Sequence, residues 1–265
     1  DNIAEAFIRD YYFEALKMNA MYENKYLLGT SLARPAIAKR LVDVAHAEGA
    51  DTIMHFATFR GNDQVRFELS INALDPSLHV LAPWRHPELW PFKGRSDMVA
   101  YCSENKLNIT ASVKKTYSMD RNLLHISFES QDLEDPWRAP DLQNMWVMTK
   151  PVSMAKNEPE DVVITFKKGV PTAVNGKEYS PAELMRVLNK LGCDHAIGCI
   201  DIVETRFTGM KSRGVYDTPA GTILLEAHRD LESICLDGAS IGLKNMLMPK
   251  YAELAYNGFW FAPER

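Results

Sequence analysis

The chain has 265 residues, of which 46% are hydrophobic and 25% charged, a composition typical of folded globular proteins and not of disordered or collagen-like sequences. A net charge of −5 argues against a protein built to bind the nucleic-acid backbone. The sequence has no apolar run approaching the ~20 residues of a membrane-spanning helix and no basic-then-apolar leader. We therefore expect a cytoplasmic protein without nucleic-acid or membrane partners.

The chain has 4 cysteines, too few for a disulfide framework at this length. The order Cys193-Asp194-His195 followed by Cys199 has a spacing that would suit metal ligands. A structural zinc site usually needs two close ligand pairs, and the sequence offers no second pair. We interpret the cysteines as reduced thiols and expect no bound metal, with metal or redox use as the alternative.

Helices and strands alternate over the first third of the chain. The apolar spacing predicts helices over 3–18, 35–48, 62–73 and 96–106, alternating after residue 48 with strands over 52–57, 78–82 and 108–113. Pro35 suits the first turn of its helix, and Gly49 suits a stop. Alternating units of this kind imply a parallel sheet that binds ligands beyond the carboxyl ends of its strands. We therefore expect ligands at the loops after Ala57 and Ala82.

A second region with a different pattern follows, and we place the boundary so that one domain covers 1–114 and the other 115–265. Its expected elements are a strand over 123–128, an irregular packed segment over 130–160, a hairpin over 162–174, a helix over 181–191, a strand over 199–207 and helices over 218–236 and 243–256. Asn175-Gly176 predicts a tight turn, and Ser180 with Glu183 forms a capping box. This half is typical of α+β proteins.

The segment 57–68 has the highest density of chemically useful side chains. Thr58, Asn62 and Asp63 stand where a strand ends and a helix begins, a place where backbone N–H groups can hold an anion. Arg66, one turn into the helix, can bind a carboxylate through two hydrogen bonds. In the alternative interpretation, Asn62 or Asp63 only caps the helix and Arg66 only pairs with Asp63.

Three more segments carry polar groups in suggestive places. In 26–35, Thr30 and Ser31 are expected to cap the following helix. In 117–127, Ser127 either lines a cleft or faces water. In 201–216, three cations and two acids surround two glycines, and surface ion pairing is the alternative to a binding role.

These segments, taken in order, resemble argininosuccinate synthase over nearly the whole chain. The similar stretches are Tyr-Leu-Leu-Gly-Thr-Ser-Leu-Ala-Arg-Pro (26–35), Gly-Asn-Asp-Gln-Val-Arg-Phe-Glu (61–68), Ala-Pro-Trp-Arg (82–85), Asn-Leu-Leu-His-Ile-Ser (122–127), Ile-Asp-Ile-Val-Glu (200–204), Lys-Ser-Arg-Gly-Val-Tyr (211–216) and Thr-Pro-Ala-Gly-Thr-Ile-Leu (218–224). So many ordered matches are far more specific than one motif.

The resemblance implies an α/β parallel-sheet nucleotide-binding domain of the adenine nucleotide alpha-hydrolase type, followed by an α+β synthetase domain. It implies a carbon–nitrogen ligase of arginine biosynthesis that condenses citrulline with aspartate through a citrullyl-adenylate, releasing AMP and pyrophosphate. ATP would be a substrate, with Mg²⁺, and no cofactor would be tightly bound. A homo-oligomer, by resemblance a homotetramer, is also implied.

The resemblance also implies which residues contact each substrate. Citrulline would contact Tyr26, Ser31, Asn62, Arg66, Ser118, Ser127, Glu204 and Tyr216. Aspartate would contact Thr58, Asn62 and Asp63. The turn against ATP would be His55, Phe56, Ala57, Thr58, Phe59, Arg60, Gly61 and Asn62. No nucleophilic side chain is required, because positioning the substrates supplies much of the catalysis.

Several departures from the family pattern leave alternatives open. The family's first strands, its Ser-Gly-Gly-Leu-Asp-Thr-Ser pyrophosphate-binding loop and its C-terminal oligomerisation tail are not in this sequence, and a separate chain is one conceivable source of the loop. Phe56 stands where Gly is usual, Arg121 where Glu is, Cys199 where Arg is and Thr205 where Asn is. The large Phe56 side chain is expected to intrude on the nucleotide or on aspartate. The alternatives are therefore a non-catalytic relative that keeps the amino-acid pocket, or a ligase with other substrates.

Overall fold

A computed structural model describes residues 1–57, 61–108 and 117–265, and its first part is built around parallel strands. Strands β1 (Thr52–Met54) and β2 (His79–Leu81) pair in parallel, with Ile53 opposite Val80. This pair confirms the predicted parallel sheet. The strand predicted over 108–113 and the boundary at residue 114 fall almost wholly on residues outside the described ranges.

Helices pack on this strand pair and create the first hydrophobic core. The helices are α3 (Gly29–Glu48), α4 (Asp63–Leu74) and α5 (Arg95–Glu104), and α3 packs along α4. The buried core residues are Ala38, Val42, Ala45, Ile53, Ile71 and Leu78. Helix α4 therefore has a fixed position, and its first turn points to one end of the strands.

Helix α3 begins at Gly29, so the expectation that it starts at Pro35 and is capped by Thr30 and Ser31 was wrong. Both residues lie in its first turn, and the Tyr26 hydroxyl accepts the Thr30 N–H at 2.9 Å in place of a side-chain cap. Pro35 costs the helix one backbone hydrogen bond. Most residues of this stretch are buried, and we attribute the tolerance of Pro35 to that packing.

The predicted N-terminal helix is present but is not uniform. Helix α1 (Ala4–Ala6) continues through a π-helical segment (Phe7–Tyr12) into α2 (Phe13–Lys17). The π segment is wider than an α-helix. Its buried residues, Phe7, Ile8, Tyr11 and Tyr12, all belong to the main core.

A four-stranded antiparallel sheet forms the centre of the second part. Its strands are β3 (Ser118–Arg121), β4 (Ile126–Glu129), β8 (Cys199–Thr205) and β9 (Lys211–Asp217), in the order β3-β4-β9-β8. In this register Ser127 lies opposite Tyr216. The sheet confirms the predicted strands, although β4 begins at Ile126 and not at residue 123.

A second, three-stranded sheet holds the predicted hairpin. Strands β5 (Ile164–Lys167), β6 (Val170–Val174) and β7 (Lys177–Glu178) are consecutive and antiparallel. Asn175 and Gly176 have φ of 50° and 79°, which is the left-handed pair that a tight hairpin turn requires. The turn prediction is therefore confirmed.

Three long helices complete the second part: α6 (Pro181–Asp194), α7 (Pro219–Cys235) and α8 (Gly238–Tyr256). The segment 130–160 contains three short 3₁₀ turns. Asp217 holds it in place, because the Asp217 Oδ2 accepts hydrogen bonds from the Met148 and Thr149 amides at 3.1 and 3.2 Å. Within the described ranges, no helix combines the length and the apolar character that a bilayer crossing needs.

The start of α6 provides a test of this fold. The Ser180 hydroxyl oxygen accepts the Glu183 N–H, and the hydroxyl donates to Glu5 on α1 at 2.6 Å. One side chain therefore both caps α6 and binds a helix that is distant in the sequence. Ser180→Ala is expected to lower the free energy of unfolding by about 1 kcal/mol in urea denaturation. Ser233→Ala, on the exposed surface of α7, is the control and should change it by less than about 0.5 kcal/mol. Equal effects of the two substitutions would contradict the assigned capping box.

Candidate functional site

A cleft of about 870 Å³ opens between the first turn of α4, the four-stranded sheet and the end of α8. Its wall includes most of the predicted amino-acid contacts. Those on the wall are Tyr26, Asn62, Asp63, Arg66, Ser118, Glu204 and Tyr216, together with Phe56 and Gly61 from the predicted nucleotide turn. Residues distant in the sequence therefore share one site: Tyr26 and Tyr256 both line it, and Asn62 is bonded to Tyr256, 194 positions away.

The other predicted contacts lie elsewhere or are not described. Ser31 and Ser127 are buried, and His55 is buried beside Phe67, so these three stand behind the described wall of the cleft. Ala57 is also outside the described wall. Thr58, Phe59 and Arg60 fall outside the described residues. Ser127 does not face water, since its Oγ accepts from the Asp120 amide at 3.3 Å.

Asn62 occupies the N-cap position of α4 but makes no side-chain cap bond. Its Nδ2 donates to the Tyr256 hydroxyl at 2.9 Å, and its Oδ1 accepts from the Phe207 amide at 3.0 Å. The interpretation of Asn62 as a simple cap is therefore wrong. These bonds hold its amide at the cleft between α8 and the turn after β8.

Asp63 and Arg66 form the predicted ion pair at 3.0 Å, and a second arginine extends it. Arg34 on α3 contacts Asp63 at 2.6 Å and Asp120 on β3 at 2.9 Å. Burial alone would raise the pKa of the Asp63 carboxyl, but Arg34 and Arg66 hold that pKa below its usual value. Asp63 is therefore ionised at neutral pH and neutralises part of the buried arginine charge.

Glu204 on β8 supplies a buried negative group in the same cleft. Its Oε1 accepts the Tyr216 hydroxyl at 2.8 Å, while its Oε2 is buried and makes no hydrogen bond of good geometry to the described residues, although the Tyr256 hydroxyl lies close enough to lower the pKa of this carboxyl. Burial raises the pKa of Glu204, and the Tyr216 hydroxyl and the Arg66 charge oppose that shift. Because an unpaired buried carboxylate oxygen is costly, Oε2 is the atom best placed to receive a donor from a ligand.

Glu129 and Arg206 also line the cleft, and sequence reasoning missed both. Arg206 approaches Glu129 at 3.5 Å and donates to Ser212 at 2.8 Å. The Glu129 side chain is 32% exposed to the cleft but otherwise surrounded by protein. This burial is the main reason that the pKa of Glu129 is raised to about 7. The Glu204 charge also raises the pKa, and the Arg206 charge lowers it. The alternation of side chains along β4 could have revealed Glu129, because it follows Ser127 by two positions and so lies on the same face of the strand.

Aromatic rings form the opposite wall. Phe56 is 56% exposed and contacts Trp90 at 5.6 Å between ring centroids, and Trp90 contacts Phe92 at 5.0 Å. Lys93 lies on the same wall. The site therefore has one wall rich in charges and hydroxyls and one that is mostly aromatic.

The segment with the cysteines lies apart from this cleft. Burial and the neighbouring Asp217 raise the pKa of the Cys199 thiol to about 12, so it is a poor source of thiolate. His195 contacts Glu160 at 3.2 Å. Over 1–57, 61–108 and 117–265, no group of three or more His, Cys, Asp or Glu side chains could hold a metal ion.

Two family models match this chain. The model described as "Arginosuccinate synthase N-terminal HUP domain" matches residues 1–108, and the one described as "Arginosuccinate synthase C-terminal domain" matches residues 117–265. Together they account for the parallel-strand part and the antiparallel part in the order in which the fold presents them.

Individual relatives are similar over the whole chain. Proteins named argininosuccinate synthase from Nitratidesulfovibrio vulgaris (strain DSM 19637 / Miyazaki F), Oleidesulfovibrio alaskensis and Clostridium tetani are 54%, 53% and 52% identical to it. Each alignment covers 100% of this chain and 65%, 66% and 66% of the relative. The chain thus spans slightly less than two thirds of the length of these relatives.

The raised pKa of Glu129 predicts a measurable titration. Because the folded value of about 7 lies above the reference value of 4.5, the native state binds more protons between these values, and the contribution of Glu129 to stability falls as pH rises through them. Arg206→Gln removes the opposing cation, so the pKa of Glu129 should rise further. Carboxyl-carbon NMR of the glutamate-labelled chain measures it.

Arg138→Gln is the matched control, since Arg138 pairs with Asp132 and Asp135 outside the described wall of the cleft. It should leave the Glu129 titration unchanged. A wild-type Glu129 that titrates near 4.5, or one whose pKa falls in Arg206→Gln, would overturn this electrostatic assignment.

Proposed function

This chain belongs to the argininosuccinate synthase family, and we propose that it works in an ATP-dependent ligase that condenses citrulline with aspartate. The products would be argininosuccinate, AMP and pyrophosphate, and the reaction would belong to arginine biosynthesis. Since the chain spans 65–66% of the relatives' length, this activity is proposed for the protein that carries it.

The observation that carries the proposal is the pairing of a buried cation and a buried anion in one cleft. Arg66 is 4% exposed and Glu204 is 5% exposed, and each shifts the pKa of the other in the direction that favours its charged form. A free α-amino acid is a zwitterion, so it needs a cation for its carboxylate and an anion for its ammonium group. A cleft with both groups fixed in place is pre-organised for such a ligand.

We assign citrulline to the wall formed by Tyr26, Arg66, Ser118, Glu204 and Tyr216, with Asn62 at its edge. Ser31 and Ser127, which the family pattern also assigns to citrulline, are buried and are not on the described wall. Aspartate is assigned to Asn62 and Asp63, next to the turn that contains Thr58. Asn62 would thus touch both amino acids, which places their reacting groups side by side.

ATP is assigned to the turn 55–62, of which Phe56 and Gly61 line the described cleft. A helix N-terminus, here that of α4, favours a phosphate group. Lys93 on the aromatic wall adds a positive charge. The described residues do not form a Mg²⁺ cluster of their own, so Mg²⁺ would enter with ATP, held by its phosphates.

The chemistry asks the chain chiefly to position its substrates. The ureido oxygen of citrulline would attack the α-phosphate of ATP, forming a citrullyl-adenylate and releasing pyrophosphate. The aspartate amine would then attack the ureido carbon and displace AMP. Holding the reactants in line on fixed groups supplies several orders of magnitude in rate without a nucleophilic side chain.

We also propose a cytoplasmic homo-oligomer, with a tetramer expected from the resemblance. Large apolar side chains on α7 and α8 support a self-association surface, since Ile234 is 82% exposed and Met246 78%. A separate chain that supplies the pyrophosphate-binding loop stays an alternative to a single polypeptide. Sedimentation of the purified protein distinguishes these assemblies.

The direct test is pyrophosphate release from ATP in the presence of citrulline and aspartate. It is run on this 265-residue chain and on the longest polypeptide that carries it, with calorimetric titration of citrulline in parallel. Release that requires both amino acids supports the ligase. Citrulline binding without turnover in either polypeptide would favour the non-catalytic reading, and a better pair in a substrate screen would favour other substrates.

Removing the charge of Glu204 gives a sharper prediction. Glu204→Gln keeps an oxygen for the Tyr216 hydroxyl but loses the anion proposed to hold the citrulline ammonium, so citrulline affinity should fall about 10- to 100-fold in calorimetry. Glu178→Gln, on the exposed strand β7, should leave affinity unchanged. An unchanged affinity in Glu204→Gln would exclude Glu204 from the ammonium site.

Phe56 supplies a further prediction. Its exposed ring stands on the proposed ATP turn, so Phe56→Gly is expected to lower the KM for ATP in the pyrophosphate assay while leaving citrulline affinity within about twofold. Trp137→Gly, at a side chain 95% exposed, is the control for losing a surface aromatic. A rise in the KM for ATP would instead identify the Phe56 ring as part of the nucleotide contact.

A further inference from the structure

Tyr256, the last residue of α8, is a residue of the cleft that no sequence pattern singled out. Its side chain is 1% exposed, yet it lines the cleft beside α4. Burial and the nearby Glu204 charge raise its pKa well above the ordinary value, so its hydroxyl stays protonated. It can therefore accept one hydrogen bond and still donate its own proton.

The hydroxyl of Tyr256 and the backbone N–H of Phe207 together hold the side-chain amide of Asn62 in one orientation. The Asn62 amide has two donors on Nδ2 and two lone pairs on Oδ1. One donor goes to the Tyr256 hydroxyl at 2.9 Å, and one lone pair takes the Phe207 amide at 3.0 Å. Since only the oxygen can accept the Phe207 N–H, the amide cannot be flipped, and one donor and one lone pair are left for ligands.

The same residue holds Arg66 in two ways. Its backbone oxygen accepts Arg66 Nε at 2.8 Å, and its ring centre lies 4.8 Å from the guanidinium carbon, within the range of a cation–π interaction. Two of the predicted substrate contacts, Asn62 and Arg66, thus depend on one residue that lies near the other end of the chain.

The surroundings of Tyr256 leave it little freedom. Tyr22 stacks on its ring at 3.7 Å between centroids with an 8° interplanar angle, and Tyr26 meets it edge-on at 6.0 Å. After α8 the chain turns at Gly258 with φ of +92°, and a Cβ there would lie 2.8 Å from the Arg66 Cα. The end of α8 is therefore pressed directly against α4.

We propose that Tyr256 is a positioning residue that pre-sets Asn62 and Arg66 for the two amino-acid substrates. The identity of those substrates rests on the proposed function. The hydroxyl acts through Asn62, which is assigned to both citrulline and aspartate. The ring acts through Arg66, which is assigned to citrulline alone. Removing the hydroxyl and removing the ring must therefore have different effects on the two ligands.

The experiment compares Tyr256→Phe and Tyr256→Leu by calorimetric titration of citrulline, and of aspartate in the presence of citrulline. Tyr256→Phe leaves a half-buried Asn62 N–H without its protein acceptor and frees the amide to reorient, so both dissociation constants should rise about 5- to 10-fold. Tyr256→Leu also removes the ring beside Arg66, so its additional loss should fall on citrulline. Tyr251→Phe, five residues earlier on α8, is the matched control and should change neither constant.

A ligand-independent readout separates the failure of this proposal from that of the proposed function. In Tyr256→Phe the side-chain amide protons of Asn62 should exchange with water faster than in wild type or Tyr251→Phe, as measured by ¹⁵N-resolved NMR. Unchanged exchange or unchanged affinities in a folded Tyr256→Phe would overturn the positioning role while the ligase proposal stands. Wild-type protein that binds neither amino acid would overturn the proposed function and this role together.

Discussion

The buried guanidinium of Arg66 is the constraint on which the rest of the cleft depends. A charge that is 4% exposed is tolerated only if nearby groups replace the water it has lost. Asp63 supplies the opposite charge, the Tyr256 carbonyl accepts Nε, and the Tyr256 ring faces the planar group. The two contacts from Tyr256 join the first turn of α4 to the end of α8, so the charge that prepares the site for a carboxylate also holds the two parts of the chain together.

A second arginine, Arg34, connects this group of buried charges to the antiparallel sheet. Arg34 on α3 contacts Asp63 and Asp120, so it links the helix of the parallel-strand part to β3 of the antiparallel part. Both carboxylates line the cleft. The ionised state of Asp63 thus depends on two cations at once, and loss of either one should change the charge of the wall as well as its shape. Glu204, and Glu129 in its ionised form, supply compensating negative charge on the sheet side, which suits ligands that carry both signs of charge.

Local features of the fold could be predicted because short-range chemistry decides them. The Asn175-Gly176 turn and the Ser180–Glu183 capping box need only neighbouring residues, and both form as expected. The start of α3 could not be predicted in this way. Pro35 is a sound signal for a helix start, but Tyr26 caps an earlier turn and the burial of that turn favours the longer helix. Tertiary packing here outweighs local propensity.

The functional site shows the same contrast between local and long-range determinants. A family resemblance identifies which residues contact the substrates, but not the hydrogen bonds and ion pairs that hold those residues in place. The resemblance pointed to Asn62 and Arg66, whereas Tyr256 lies 190 residues or more from both and belongs to a helix whose apolar pattern indicates only core packing. Asn62 looked like an ordinary helix cap, and its actual bonds go to two distant segments that sequence spacing cannot place. Since most polar atoms of a buried site find a hydrogen-bond partner, the partners of its predicted residues are the places to look for further functional residues. In this cleft that accounting leads from Arg66 to Tyr256, which lines the cleft, and from Asp63 to Arg34, which stands behind its described wall, so the shape of the cleft depends on residues of both kinds.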